Sequence, residues 1–207
     1  MPLIDVPTVH AVTDPQILAD PGFKSKAASV FRALGHAGAV HLRGPGMPLI
    51  DLYRLAGFLA PLQAETGCRL IVNDRVDVAM AAGAWGVQLR HASLSIQDAR
   101  VASLATKPAL EFGVSIHSVS EALEAVAEHA TWVFAGNVFE TATHPGLAAK
   151  GAEFIRDVAR TSAVTIAIGG VRPSDVPLLR ENGAHGVAAI RGIWEASDPA
   201  TAACAYL

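Results

Sequence analysis

One stretch of the sequence decides the fold: Val164-Thr165-Ile166-Ala167-Ile168-Gly169-Gly170-Val171-Arg172-Pro173-Ser174-Asp175. Its first five residues are largely apolar, which is typical of a strand that is covered on both faces. The glycine pair lets the backbone turn sharply and approach a ligand, because no Cβ stands in the way. Pro173 is suited to the first turn of a helix. The stretch therefore predicts a buried strand that turns directly into a helix.

A second turn of the same kind follows closely. The short apolar strand 186–190 leads into Arg191-Gly192. The two strand ends are expected to lie side by side, and free backbone N–H groups at a glycine turn or a helix start bind anions. Two ordinary tight turns would show the same residues, but their place in the last two units of a repeating pattern favours a phosphate site. Its predicted members are Gly169, Gly170, Ile190, Arg191 and Gly192.

Short apolar runs alternate with helical patterns along the sequence, which indicates repeated βαβ units and a parallel sheet. The predicted strands are 8–13, 39–43, 69–72, 86–89, 111–114, 132–135, 164–168 and 186–190. The predicted helices are 25–37, 48–65, 75–82, 95–104, 119–129, 149–160, 173–182 and 199–206. Each strand and helix takes about 25 residues, which leaves little room for insertions. We therefore predict an α/β fold, a single TIM (β/α)8 barrel that forms one domain over residues 1–207.

Composition excludes several classes of function. The 207 residues are 51% hydrophobic and 17% charged, which is ample for one core. A net charge of −3 and the absence of basic runs argue against nucleic acid as a partner. The first residues do not resemble a secretory signal peptide, and no apolar run reaches the length of about 18 residues that a membrane-spanning helix needs. We therefore expect a cytoplasmic protein that does not bind membranes. Cys68 and Cys204 lack the spacing of a zinc site and are expected to be free thiols.

Polar residues follow most of the predicted strands, and in a TIM barrel the chemistry lies at the carboxyl ends of the strands. They include Arg43, Asn73, Asp74, Gln88, Ser115, His117, Asn137 and Thr141. Any one of them alone is more often a cap or a loop anchor than a ligand contact. Their common location makes the set a candidate site. We expect the aromatic residues Trp132 and Phe134 to pack between the barrel and its helices.

Eight short segments carry a resemblance to a known family. They are Val12-Thr13-Asp14, His41-Leu42-Arg43, residues 70–77 (Leu-Ile-Val-Asn-Asp-Arg-Val-Asp), Gly86-Val87-Gln88-Leu89, residues 113–118 (Gly-Val-Ser-Ile-His-Ser), residues 136–141 (Gly-Asn-Val-Phe-Glu-Thr), Ala167-Ile168-Gly169-Gly170-Val171 and residues 183–188 (Gly-Ala-His-Gly-Val-Ala). In these segments, and in their order, the sequence resembles the thiamine phosphate synthase and thiazole tautomerase (TenI-like) family over nearly its whole length. The resemblance implies the barrel fold and a phosphorylated thiazole as the small-molecule partner.

The synthase of this family joins a phosphorylated thiazole to a pyrimidine diphosphate and releases pyrophosphate with Mg²⁺. The resemblance places Arg43 and Asn73 at its diphosphate positions and Asp74 at its Mg²⁺ position. Three residues depart from the synthase pattern, which has two lysines and a metal-binding aspartate in their place: Pro45, His144 and Ser93. These departures would leave much of the charge of a diphosphate uncompensated.

The tautomerase of the family moves a double bond in a thiazole carboxylate phosphate, which makes the ring aromatic. That reaction needs a phosphate anchor and a proton transfer, and no metal. The residues to which we assign substrate binding are Arg43, Asn73, Gln88, Ser115 and Thr141. Here Asn137 occupies the position of the family's proton-transferring histidine. An amide can orient a substrate but cannot act as an acid or base. The candidate proton carriers are therefore His144 and His117, although a histidine at either position is more often an ordinary loop residue.

The sequence thus favours a thiazole tautomerase in thiamine synthesis that needs no cofactor. The alternative is a thiamine phosphate synthase, with Mg²⁺ as its cofactor and Asp74 as a metal ligand. A third interpretation, which Asn137 favours, is a homologue without catalytic activity that binds thiazole or thiamine phosphate. The apolar helices are compatible with a homodimer.

Overall fold

The computed structural model describes residues 5–90, 93–141 and 148–207. Eight parallel strands lie in sequence order, and the last pairs with the first to close a barrel. The strands are β1 (Val9–Val12), β2 (Gly38–Leu42), β3 (Arg69–Asn73), β4 (Gly86–Leu89), β5 (Glu111–Ile116), β6 (Trp132–Ala135), β7 (Thr165–Ile168) and β8 (Gly186–Ala189). All eight predicted strands are present, with their ends shifted by at most two residues. The TIM barrel is therefore confirmed.

Helices alternate with the strands. They are α1 (Pro15–Leu18), α2 (Phe23–Leu34), α3 (Leu49–Thr66), α4 (Val76–Ala82), α5 (Ile96–Ala102), α6 (Val119–Ala127), α7 (Gly151–Ala159), α8 (Val176–Glu181), α9 (Arg191–Trp194) and α10 (Pro199–Cys204). The short helices α1 and α9 were not predicted. The helix predicted from residue 173 begins instead as a 3₁₀ turn, Pro173–Asp175. Pro177 lacks an N–H group and fits only the first turn of an α-helix, so α8 starts at Val176.

A small apolar cluster fills the inside of the barrel and includes Trp132 and Phe134. Trp132 is fully buried and stacks on Trp85, with ring centroids 5.2 Å apart. Gly113 leaves room for this ring, because a Cβ there would lie 2.1 Å from Trp132 Cε2. Our expectation that these aromatic side chains face the helices is wrong. Both faces of β6 are apolar, so its sequence did not distinguish the inner face from the outer one.

A larger apolar cluster lies between the strands and the helices and contains Leu42, Leu70 and Phe112 among others. Side chains alternate between the two faces of each strand, so the inner and outer clusters take alternate residues. Among the described residues, no helix combines the length and the apolar character needed to cross a membrane. Both cysteines are free, with Cys68 buried and Cys204 exposed.

Candidate active site

Five predicted site residues lie at one rim of the barrel. Asn73 is the last residue of β3, and Ser115 lies next to the end of β5. Arg43 and His117 directly follow β2 and β5, and Asn137 follows β6 by two residues. Each of the five is at least partly exposed. Because the carboxyl ends of parallel strands meet at the same end of a barrel, these side chains surround a common opening.

Gln88 lies inside the barrel below this rim and is fully buried. Its amide oxygen accepts a hydrogen bond from Trp132 Nε1 at 2.7 Å, and its nitrogen donates to Ser115 Oγ at 3.1 Å. Within the described part of the chain the proton of the Ser115 hydroxyl has no protein partner, so it can donate to a ligand. Gln88 therefore orients Ser115, and its direct contact with the substrate remains a prediction.

A second chain of hydrogen bonds runs along the inside of the barrel to Asn73. His10 Nε2 lies 2.9 Å from Pro7 O, His10 Nδ1 lies 2.8 Å from His41 Nε2, and His41 Nδ1 lies 3.3 Å from Asn73 Oδ1. Burial lowers the pKa of His10 to about 3 and holds the pKa of His41 well below its usual value. Both rings are therefore neutral near pH 7. Neither histidine was predicted to have a role, because a strand pattern does not reveal that they point inward and meet.

Asp74, the metal ligand expected for a synthase, is engaged by protein groups. Ser93 Oγ donates to Asp74 Oδ1 at 2.6 Å, and Arg90 Nε lies 2.7 Å from Asp74 Oδ2. Over residues 5–90, 93–141 and 148–207, no three His, Cys, Asp or Glu side chains are grouped to hold a metal ion. The Arg90 guanidinium supplies the positive charge that a metal would otherwise bring to this carboxylate. A Mg²⁺ ion at Asp74 would therefore have to displace Arg90 or Ser93.

A cavity of about 200 Å³ is lined by Arg90, Ser93 and Ser115 among others. Its lining also includes three acidic residues of α6 and its end: Glu121, Glu124 and Glu128. These carboxylates make the cavity unfavourable for a phosphate group.

The ring of exposed His117 lies against the chain that follows β6. Its Nδ1 lies 3.0 Å from Gly136 O, and because a carbonyl only accepts, Nδ1 carries a proton and neutral His117 has a lone pair on Nε2. Lys150 Nζ donates to the same carbonyl at 2.9 Å and to His117 O at 2.6 Å. Partial burial lowers the pKa of Lys150. Lys150 was missed in the sequence analysis, although it is the only lysine between β6 and α7. The His117 ring therefore contacts Gly136, the residue before Asn137, and its role in proton transfer remains a prediction.

The glycine pair after β7 packs against the chain that follows β6. Gly169 and Gly170 have φ values of 100° and 68°, which glycine adopts readily. A Cβ on Gly169 would lie 2.5 Å from Asn137 Cβ, and one on Gly170 would lie 2.3 Å from Glu140 O. This close packing by itself requires two glycines. Their binding of phosphate remains a prediction.

The second predicted phosphate turn, residues 190–192, leads into α9 at the end of β8, which pairs with β7. Arg191 and Gly192 are the first residues of α9, and within the described ranges their N–H groups have no protein acceptor. Gly192 also makes room for Tyr206, whose hydroxyl would lie 2.3 Å from an added Cβ. Arg191 Nε lies 3.7 Å from Glu195 Oε1, which partly compensates its charge.

The remaining predicted residues to place are Arg43, Thr141 and His144. The Arg43 backbone N–H donates to Thr13 Oγ1 at 2.9 Å, which fixes the chain where β2 ends. Thr141 is partly exposed at the end of the described segment 93–141. His144 lies outside the described residues, so its role in proton transfer remains a prediction.

Comparisons with known proteins give a consistent result. A family model described as thiamine monophosphate synthase matches residues 9–193. The chain is 33% identical over 184 residues to the thiamine-phosphate synthase of Pyrococcus horikoshii, an alignment that covers 88% of this chain and 87% of that protein. It is 40% identical over 157 residues to the thiamine-phosphate synthase of Salinispora arenicola, with coverage of 75% and 74%.

Among solved structures, a thiamine phosphate pyrophosphorylase from Pyrococcus furiosus superposes with a TM-score of 0.83. It is 28% identical, and the match covers 96% of this chain and 93% of that one. The names of these relatives agree with the synthase alternative of the sequence analysis better than with the tautomerase.

Proposed function

Because this chain belongs to the thiamine monophosphate synthase family, we propose that it binds a phosphorylated thiazole and isomerises it by proton transfer without a metal. The observation that carries this choice of reaction is the state of Asp74, whose two oxygens are bound by Ser93 and Arg90. Pyrophosphate transfer would need a metal ion at that carboxylate, whereas a tautomerase needs none there.

The substrate phosphate would lie at the ends of β7 and β8. The unpartnered N–H groups of Arg191 and Gly192 and the turn at Gly169 and Gly170 support this placement, since such amides bind anions. The thiazole ring would then extend across the rim toward β5 and β6. Ser115 would donate a hydrogen bond to it from the side held by Gln88. Arg43 would balance the charge of the ring carboxylate.

His117 would move the proton. Its Nδ1–H is anchored on Gly136 O, so Nε2 would accept the proton that leaves the substrate carbon. The electron pair of the broken C–H bond moves into the ring system, and a proton is returned at the other end of the shifted double bond. Lys150 holds the ends of β5 and β6 together by donating to His117 O and Gly136 O. Asn137 would orient the ring, as an amide can.

The second candidate function is thiamine phosphate synthesis, and the names of the relatives favour it. For this reaction Asp74 would have to exchange Arg90 for Mg²⁺. The two candidates therefore differ in their need for metal and in the effect of changing Asp74.

The test measures both reactions with the same preparations. For the tautomerase, aromatisation of the thiazole carboxylate phosphate is followed by absorbance with and without a chelator, for wild type, His117→Ala and His129→Asn. We expect chelator-resistant turnover, a loss of about 100-fold or more in His117→Ala, and wild-type rates in the control, because His129 is exposed on the loop after α6.

Two outcomes would contradict the proposal. Mg²⁺-dependent release of pyrophosphate from a pyrimidine diphosphate and a thiazole phosphate, abolished in Asp74→Asn, would establish the synthase instead. Phosphate-dependent binding of the thiazole without turnover in either assay would identify a homologue that has lost catalysis.

A further inference from the structure

In the hydrogen-bond chain from His10 through His41 to Asn73, the donor and the acceptor of each contact follow from the contact of His10 with Pro7. Pro7 O only accepts, so His10 Nε2 must carry a proton. A neutral His10 then has a lone pair on Nδ1, which must accept from His41 Nε2–H across 2.8 Å. A neutral His41 in turn has a lone pair on Nδ1, and that atom faces Asn73.

This lone pair determines which end of the Asn73 amide can face it. With Asn73 Oδ1 3.3 Å from His41 Nδ1, two acceptors would oppose each other. Rotation of the amide by about 180° keeps its shape and turns the NH₂ group toward the ring. If the oxygen of Asn73 stayed toward His41, His41 Nδ1 would have to carry a proton as well. The histidine pair would then hold one additional proton and a positive charge. Both rings are fully buried, and no carboxylate among the described residues forms an ion pair with either one, so that charge would be uncompensated.

We propose that His10 and His41 are positioning residues that hold Asn73 with its amide nitrogen toward His41 and its oxygen toward the rim. Asn73 is partly exposed, and in the described part of the chain its outer amide atom has no protein partner. The rim therefore presents a hydrogen-bond acceptor here. A ligand N–H or O–H group fits this position, and a phosphate oxygen does not.

The inference deepens the proposed function and rests on it only in placing the ligand ring at this rim. It assigns the phosphate to another part of the opening, and it predicts that a diphosphate gains no hydrogen bond from the Asn73 oxygen that faces the rim. The direction of the amide is a property of the protein alone, so it can be measured without any substrate.

The experiment is nuclear magnetic resonance of uniformly ¹⁵N-labelled protein at pH 7, recording ring tautomers and couplings between nitrogens across hydrogen bonds. We expect both histidines to be neutral with the proton on Nε2. We also expect two N–H···N couplings, from His41 Nε2 to His10 Nδ1 and from Asn73 Nδ2 to His41 Nδ1. A proton on His41 Nδ1, or a missing coupling to Asn73, would overturn the proposal whatever reaction the protein catalyses.

Two variants test whether the histidine pair determines the orientation of the Asn73 amide or Asn73 determines the tautomer of His41. In His10→Phe the acceptor for His41 Nε2–H is lost, so we expect the His41 proton to move to Nδ1 and the coupling to Asn73 to disappear. In Asn73→Leu, which is similar in shape, we expect the His41 proton to stay on Nε2. A changed His41 tautomer in Asn73→Leu would mean that control runs inward from the rim, contrary to the proposal. If His10→Phe does not fold, the wild type and Asn73→Leu still decide.

Discussion

Lowering the pH from 7 to 5 should destabilise this barrel through the two histidines in its interior. Burial lowers the pKa of His10 to about 3, against a usual value of 6.5. Between these values the unfolded chain binds a proton that the folded chain does not. Stability is therefore complete above pH 6.5, falls as the pH drops below it, and stops falling once the pH passes the folded pKa.

The expected size follows from these two values. At pH 5 an unfolded His10 is almost fully protonated and a folded one is neutral, which lowers the free energy of unfolding by about 2 kcal/mol relative to pH 7. His41, whose pKa burial also lowers, adds to the loss. Exposed carboxylates such as Asp77, whose pKa a hydrogen bond from Arg75 lowers, lose their contribution only below about pH 4. The interval from pH 7 to 5 therefore isolates the histidines.

Urea unfolding at pH 7, 6 and 5, followed by tryptophan fluorescence, measures this loss in wild type, His10→Phe and His129→Asn. We expect the loss between pH 7 and 5 to be about 2 kcal/mol smaller in His10→Phe than in wild type. The control changes an exposed histidine with a φ of 59°, a conformation that asparagine tolerates, and should behave as wild type. Equal losses in wild type and His10→Phe would refute the reasoning.

Three further predictions concern packing and thiol reactivity. Gly113→Ala should lower the free energy of unfolding by about 1–3 kcal/mol, because its Cβ would lie 2.1 Å from Trp132 Cε2. The matched change is Gly57→Ala in α3, where no atom lies within 4 Å of the new Cβ, and it should raise the free energy of unfolding by up to about 1 kcal/mol. If urea unfolding showed Gly113→Ala to be more stable than Gly57→Ala, the assigned packing would be contradicted. Burial raises the pKa of Cys68 to about 12, so a thiol reagent should label only Cys204 in the native protein and both cysteines in denaturant. Rapid labelling of both in the native state would show that Cys68 is accessible.

The fold could be predicted from the sequence because its signals are local. The bounds of β4 and β6 agree with the predicted strands, since apolar runs and their flanking glycines lie next to each other in the chain. Helix α1 was missed because it has only four residues, too few for an apolar period. It depends instead on one cap, in which Asp14 Oδ1 accepts from Ile17 N at 2.9 Å.

The site was predicted only in part, because several of its features depend on contacts between distant residues. The position of Ser115 at a strand end follows from the barrel. Its hydrogen bond from Gln88 does not, since the two residues are 27 positions apart. The same is true of the ion pair between Arg90 and Asp74, which a sequence pattern cannot distinguish from two unpaired charges. The inward direction of His10 and His41 likewise depends on the pleat of each strand.

The contact between the glycine pair and the chain after β6 has a consequence for substrate length. Val138 N donates to Ile168 O and Phe139 N donates to Gly169 O, each at 2.9 Å, so the two strand extensions form one rigid block. If the phosphate lies on the glycine turn and the ring beside Asn137, this part of the backbone fixes the distance between the phosphate and the ring. A substrate one methylene longer or shorter would misplace its reacting carbon without losing its anchor. Such analogues would then act as competitive inhibitors.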